Sequence, residues 1–283
     1  MTRPQPSSPV SCPPAPERLL LLGDTHADWA GLKAAIAYAV SVDADAIVSV
    51  GDLGFWPRDG SGQHLLVHLR KALTKAGLDL YFVEGNHDDL AVLFFGAHPQ
   101  AGPFRQVVAP YRGAVRGGVY HIPRGSRWSW QGVCFLGVGG GWSIDQDYTT
   151  EGVDWFPQET ISQEEKDAIL ADGGQVDVVI AHDCPAGLLI LNAMDKFPNS
   201  TLNGERLAAI CAQAQPLLVV HGHYHVFHDT EQHDPGRNLH TRVLGLDCMH
   251  ADELDSRTCH LLDLHELAVA APALRAARYR PLP

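Results

Sequence analysis

Five times along this chain an apolar run breaks off in a polar turn. RLLLL leads into GDTH at residues 18–26, DAIVSV into GDLG at 45–54 and LDLYFV into EGNHDD at 78–89. VDVVI leads into AHDCP at 176–185, and PLLVV into HGHYH at 216–225. Runs this continuous suit strands buried on both faces. Helix-like stretches accompany them: DWAGLKAAIAYAV, GQHLLVHLRKALTKAG and NGERLAAICAQA bring apolar residues back every three or four positions. Strand alternating with helix predicts βαβ units and a parallel sheet. GGVYHIP, GVCFLGV, NLHTRVLGL and RTCHLLDL read as further strands with little helix between them. They predict a second, more antiparallel sheet packed on the first. No fixed-period repeat or linker interrupts residues 18–265, so one compact domain is expected there. Residues 1–17 read as a disordered, proline-rich lead-in, and residues 266–283 as a tail, either loose or docked.

In open α/β sheets the loops beyond the carboxyl ends of the strands form the ligand site. All five polar clusters fall at such ends. They supply Asp24 and His26, then Asp52, then Asn86 and His87, then His182, and last His223 and His225. Taken singly, each has an ordinary explanation: a strand-end Asp caps a helix or braces a turn. The alternation in VVHGHYH offers more, because alternate residues of a strand share a face. Carboxylate, imidazole and amide oxygen are ligands for Mn²⁺, Fe or Zn²⁺. Seven such ligands among these eight residues exceed what one ion needs, but serve two ions that share a carboxylate.

The formal charge of −12 argues against a broad, sequence-independent hold on nucleic acid, which requires a basic surface. It leaves room for a nucleotide or phosphate ester in a pocket, where bound cations reverse the local field. The apolar runs are far too short to span a bilayer, and the N-terminus lacks the apolar core of a signal peptide. The six cysteines show no CxxC spacing, which predicts free thiols in a reducing cytoplasm.

Taken in order, the motifs Asp24-Thr25-His26, Gly51-Asp52, Gly85-Asn86-His87-Asp88, His182 and Gly222-His223-Tyr224-His225 resemble those of the calcineurin-like metallophosphoesterases. The resemblance covers about residues 18–247. It implies an α/β fold, a two-sheet β-sandwich flanked by helices in four layers, with a dimetal site at the sheet edge. It also implies that Asp24, His26 and His225 hold one divalent ion and that Asn86, His182 and His223 hold the other. Asp52 would bridge the two, and His87 would address the substrate without ligating. His221 falls outside the pattern and is expected to be structural or to support the ligands. Mn²⁺ is the leading choice of metal, with Fe or Zn²⁺ as alternatives. Two such ions ~3.5–4 Å apart neutralise phosphoryl oxygens and lower the pKa of a bridging water, giving a hydroxide for in-line attack. For Asp88 the favoured reading is a cap on the helix that follows.

The chain also departs from the family. Phosphoserine/threonine phosphatases of this superfamily carry GDxxDRG; here Phe55 stands at the second Asp, which disfavours that subgroup and leaves the group orienting His87 open. The stretches PRGSRWSWQG and GGGWSIDQDYTTEGVDWFPQE resemble bacterial and phage members of undefined substrate. One reading makes them a lid in which Arg124 or Arg127 grips phosphate and Trp142, Tyr148 or Trp155 stacks on a base. The other makes the tryptophans packing residues and the arginines solvated. Arg58 is a third candidate for phosphate.

The leading expectation is a dimetal hydrolase of a small phosphodiester or nucleotide. A phosphomonoesterase is the alternative within the class, and a non-catalytic, protein-binding scaffold the alternative outside it.

Overall fold

The computed structural model describes residues 10–54, 61–188, 202–234, 239–249 and 254–277. Among the described residues, thirteen strands fall in two mixed sheets. The first six are β1 (Arg18–Leu22), β2 (Ala46–Ser49), β3 (Asp79–Phe82), β4 (Gln100–Ala101), β5 (Phe104–Val108) and β6 (Val119–His121). Then follow β7 (Arg127–Trp130), β8 (Val133–Val138), β9 (Val178–Ala181), β10 (Leu218–His221), β11 (His228–Asp234), β12 (Leu239–Gly245) and β13 (Cys259–Asp263). The helices are α1 (Trp29–Ser41), α2 (Ser61–Ala76), α3 (Leu90–Phe95), α4 (Gln163–Asp172), α5 (Leu202–Ala214) and α6 (Leu264–Ala277).

One sheet runs β13-β1-β2-β3-β6-β5-β4 and the other β11-β12-β10-β9-β8-β7. The sequence puts the five apolar strands into a single parallel sheet. The structure divides them instead: β1, β2 and β3 pair in parallel in the first sheet, β9 and β10 in the second. Each sheet then adds antiparallel strands at its edges. Apolar runs report burial on two faces, which both sheets provide, and carry no label for which sheet a strand joins.

The layering follows from side-chain alternation. In β1, Leu19 and Leu21 face the opposite sheet, in a core with Tyr81, Tyr120, Phe135, Ile180 and Val220. Leu20 and Leu22 face outward, against Leu32 and Ile36 of α1 and Leu69 of α2. On the far side, Val179 and Val219 pack against Ile169 of α4 and Leu207 and Ile210 of α5. The four leucines of β1 are fully buried, each a gain of roughly 1.5–3 kcal/mol. Helix, sheet, sheet, helix is the four-layer α/β sandwich expected.

The described parts of both terminal segments are anchored. The Val10 N–H donates to the Gln100 carbonyl at 2.9 Å, and its side chain packs on the inter-sheet core. Residues 264–277 form α6 rather than a tail from 266, and Arg275 Nη2 donates to Val176 O and Asp177 Oδ1, both at 2.8 Å. No described helix is long and apolar enough to cross a membrane.

Candidate active site

The loops beyond β1, β2, β3, β9 and β10 meet at one edge of the sandwich. Asp28, not Asp24, caps α1, accepting from the Ala30 amide at 2.9 Å. Asp24 is thereby left to the site. Its Oδ2 accepts from the His223 amide at 2.9 Å, tying the loop after β1 to the loop after β10. Its Oδ1 is buried and has no hydrogen-bond partner. Asp52 Oδ1 accepts from the His87 amide at 2.9 Å, and its Oδ2 faces His182 Nε2 at 3.5 Å and His26 Nε2 at 3.8 Å. Each carboxylate braces a neighbouring loop, and Asp52 points its second oxygen at His182 and His26.

The imidazoles close around them. His225 Nε2 lies 3.2 Å from Asp24 Oδ2 and 3.0 Å from His26 Nε2. His182 donates from Nδ1 to the Val50 carbonyl at 2.9 Å, which turns its Nε2 to Asn86 Oδ1 at 3.0 Å. The His182 and His223 rings are 4.9 Å apart between centroids. Two groups of ligand atoms have the spacing to hold an ion: Asp24, His26 and His225, and Asp24, Asp52 and His182. The alternation argument for VVHGHYH does not survive. β10 ends at His221, and His223 and His225 sit beyond it with φ of 67° and 51°. His26 and Asp52 share that left-handed backbone, with φ of 44° and 45°. Non-glycine residues in such conformations cost ~1–3 kcal/mol each and cluster at functional sites.

Electrostatics follow from the packing. Burial works against charge on His182, but the carboxylates of Asp52 and Asp24 outweigh it and hold its pKa up at about 10. Burial likewise opposes charge on His225, where hydrogen bonds to Asp24 and Cys248 prevail, again to about 10. Burial also opposes charge on Asp52, yet His182 and His87 hold its carboxyl well below the usual range. Burial pushes His26 and His223 down, so they present neutral rings. The metal-free site thus draws protons onto two histidines to balance its carboxylates, and cations do the same by displacing them.

Space for ions is also preserved. A Cβ on Gly141 would lie 3.1–3.2 Å from His182, His223 and Asn86 together, so glycine keeps their meeting point open where a side chain would crowd it. A Cβ on Gly222 would collide with Asp24 Oδ1. An unpartnered buried carboxylate oxygen, clustered imidazoles and glycine walls fit a pair of bound cations.

The family model for calcineurin-like phosphoesterases matches residues 17–227. The chain belongs to the calcineurin-like phosphoesterase family. A dimetal phosphatase from Danio rerio is similar in structure, with 13% identity, 89% of this chain and 94% of that one covered, and a TM-score of 0.52. TT1561 of Thermus thermophilus overlaps at 15% identity over 88% and 99% of the chains, TM-score 0.48. The phosphopantetheinyl hydrolase of Mycobacterium tuberculosis does so at 16% identity over 89% and 97%, TM-score 0.46. No curated protein matches the sequence significantly.

Around this candidate site several sequence expectations need correction. Arg124 is not available to substrate: its side chain is 2% exposed, paired with Glu84 at 2.5 Å and bonded to the carbonyls of Gln158, Glu159 and Thr160. Arg127 pairs with Asp172 at 3.0 Å and donates to Gly174 O. Arg58 and Phe55 lie outside the described residues. Asp88 is not the helix cap; Asp89 caps α3, while Asp88 accepts from the Gly54 and Gly85 amides and so braces two site loops. Tyr148 is 91% exposed, and Trp142 and Trp155 are half-buried.

The sequence reading missed Ser143 and Glu159. Asn86 Nδ2 donates to Ser143 Oγ at 3.0 Å, and Ser143 donates to Glu159 Oε2 at 2.5 Å. Fixing the amide nitrogen aims the oxygen of Asn86 at the site. The signal was the Gly-Gly-Gly-Trp-Ser run, in which glycines against the ligands place the next polar side chain beside them.

Proposed function

We propose that this chain hydrolyses a small phosphodiester or nucleotide with two bound divalent cations, Mn²⁺ foremost. The observation that carries the reading is the convergence, from five loops, of Asp24, His26 and His225 in one ligand group and Asp24, Asp52 and His182 in another, with Asn86 and His223 beside His182. Asp24, His26 and His225 would hold one ion, Asn86, His182 and His223 the other, with Asp52 shared. A thiol-free set of oxygen and imidazole donors suits manganese, with iron or zinc as alternatives. When bound, the ions supply charge neutralisation for the phosphoryl group and a nucleophile at neutral pH.

The protein's own residues set the rest. Asp52 fixes His87 by accepting from its amide, and the His87 ring lies 5.5 Å from that of His26, half-buried at the rim. From there it serves as the acid that protonates the leaving alkoxide, a role worth typically ~10²–10⁴ in rate. Ser143 keeps the Asn86 oxygen turned inward.

A diester is favoured over a monoester because Arg124 and Arg127 are committed to the scaffold. Neither is left to meet the second charge of a monoester dianion. The acidic chain argues against long nucleic acid as substrate. With all eight site residues present, a binding scaffold has no loss of chemistry to support it. The free cysteines suit a reducing cytoplasm. The test compares release of p-nitrophenol from the bis- and mono-p-nitrophenyl phosphates by Mn²⁺-loaded protein. Preference for the diester is expected; preference for the monoester would reassign the substrate, and turnover of neither would return the scaffold reading.

A further inference from the structure

A second cluster of metal-binding side chains lies outside the proposed dimetal centre. Cys184, His221 and His228 bring one sulfur and two ring nitrogens within 4.8 Å of one another. The sequence gives no warning of it, since the three come from separate segments. Topology assembles them. His221 ends β10 and His228 begins β11, and both pair with Gly245 of β12, which lies between those strands. A Cβ on residue 245 would run into the His228 ring and come within 3.2 Å of the His221 ring. Glycine there is what lets the two imidazoles meet, Nε2 to Nε2, at 2.9 Å. His221 donates from Nδ1 to the Gly222 carbonyl at 2.9 Å, so its Nε2 carries a lone pair facing that point. Cys184 and His221 are buried and His228 is half-buried, which leaves one side open for an ion to enter.

We propose that Cys184, His221 and His228 form a separate site for one thiophilic transition-metal ion, Zn²⁺ by ligand type. Thiolate and imidazole are the ligand set of tetrahedral zinc sites, with water in the fourth place. On binding, the Cys184 thiol gives up its proton to solvent and the sulfur ligates as thiolate. The hydrogen-bonded imidazole pair is then replaced by two nitrogen–metal bonds. The position gives the ion a purpose. His221 and His228 bracket the loop that carries His223 and His225, and Cys184 follows His182 by two residues. A single ion here clamps the bases of two loops that supply the catalytic centre, so it holds geometry and takes no part in the reaction.

The experiment is a Co²⁺ titration of the metal-free, full-length protein, followed by near-ultraviolet absorption. A thiolate bound to Co²⁺ gives a charge-transfer band that carboxylate, imidazole and amide ligands do not. Because Cys248 contacts His225, Cys248→Ala is measured alongside. The expected result is a band in the wild type and in Cys248→Ala, no band in Cys184→Ala, and at least about tenfold more Co²⁺ needed in His228→Ala. His228 is half-buried and its truncation spares the core, so that variant stands even where Cys184→Ala misfolds. Absence of a band, a band indifferent to Cys184 and His228, or one lost only with Cys248 would overturn the site. In the first of these, protein that still binds two ions leaves the dimetal reading intact.

Discussion

The Nε2 atoms of His26 and His225 lie 3.0 Å apart although 199 positions separate the two residues in the chain. Asp24 sits beside them, 3.2 Å from the His225 nitrogen. Two imidazoles and a carboxylate from opposite sheets thus converge with the spacing that could hold a metal ion. Replacing His225 by Ala is predicted to cut bound metal from two Mn²⁺ ions to one, measured by elemental analysis after desalting. The imidazole is 41% exposed, so the fold should be preserved, as far-ultraviolet circular dichroism would show.

Ser143 offers a finer test. It ligates nothing, but without it the Asn86 amide is free to rotate and lose its aim. Partners that orient a metal ligand typically contribute ~10–100-fold in affinity. Ser143→Ala is predicted to weaken the second Mn²⁺ equivalent by that order, with little effect on the first, in a calorimetric titration.

Arg124 is predicted to fail as a substrate residue and to matter for stability. Its guanidinium and the Glu84 carboxylate are both buried, and removing one partner strands the other charge at a cost of ~3–5 kcal/mol. Arg124→Ala should therefore lower the urea midpoint sharply, with any loss of activity following the fraction unfolded.

The same pair predicts a pH dependence. Burial would raise the Glu84 carboxyl, but Arg124 and His121 overcome it and hold the pKa down at about 2. A depressed carboxylate stabilises the fold above its unfolded value of about 4.5 and loses that contribution as pH falls through about 2. The stability gap between wild type and Glu84→Gln should be full at neutral pH and shrink below about 4.5 in acid titrations of denaturant midpoints.

Bound metal should also stabilise the protein. A ligand at 100 times its Kd adds about 2.7 kcal/mol when only the native state binds. Exhaustive chelation is predicted to lower Tm, and Mn²⁺ to restore both Tm and turnover. An unchanged Tm would mean that the carboxylates and imidazoles are already balanced without ions.

Much of this was legible in the chain. The apolar runs located β1, β2, β3, β9 and β10, and the polar residues closing them meet at one edge as the candidate site, where strand ends collect ligands. Sheet membership was not legible: Leu20 and Val219 are equally buried, yet face helices on opposite sides of the sandwich. Nor was the fate of Arg124, whose partners Glu84 and Glu159 lie 40 and 35 positions away. Spacing misled at HGHYH, where strand alternation was assumed across residues that turn through left-handed backbone. The cluster of Cys184, His221 and His228 depends on a glycine in a third strand, which no linear pattern encodes.

The central claim is that two ions act together in one site. Turnover of bis-p-nitrophenyl phosphate by metal-free protein, followed as Mn²⁺ is added in counted equivalents, tests it most directly, with Asp52→Asn measured in parallel. Negligible activity is expected at one equivalent, a rise that completes at two, and near-abolition in the variant, which loses the shared carboxylate. Full activity at one equivalent, or activity unchanged in Asp52→Asn, would contradict it.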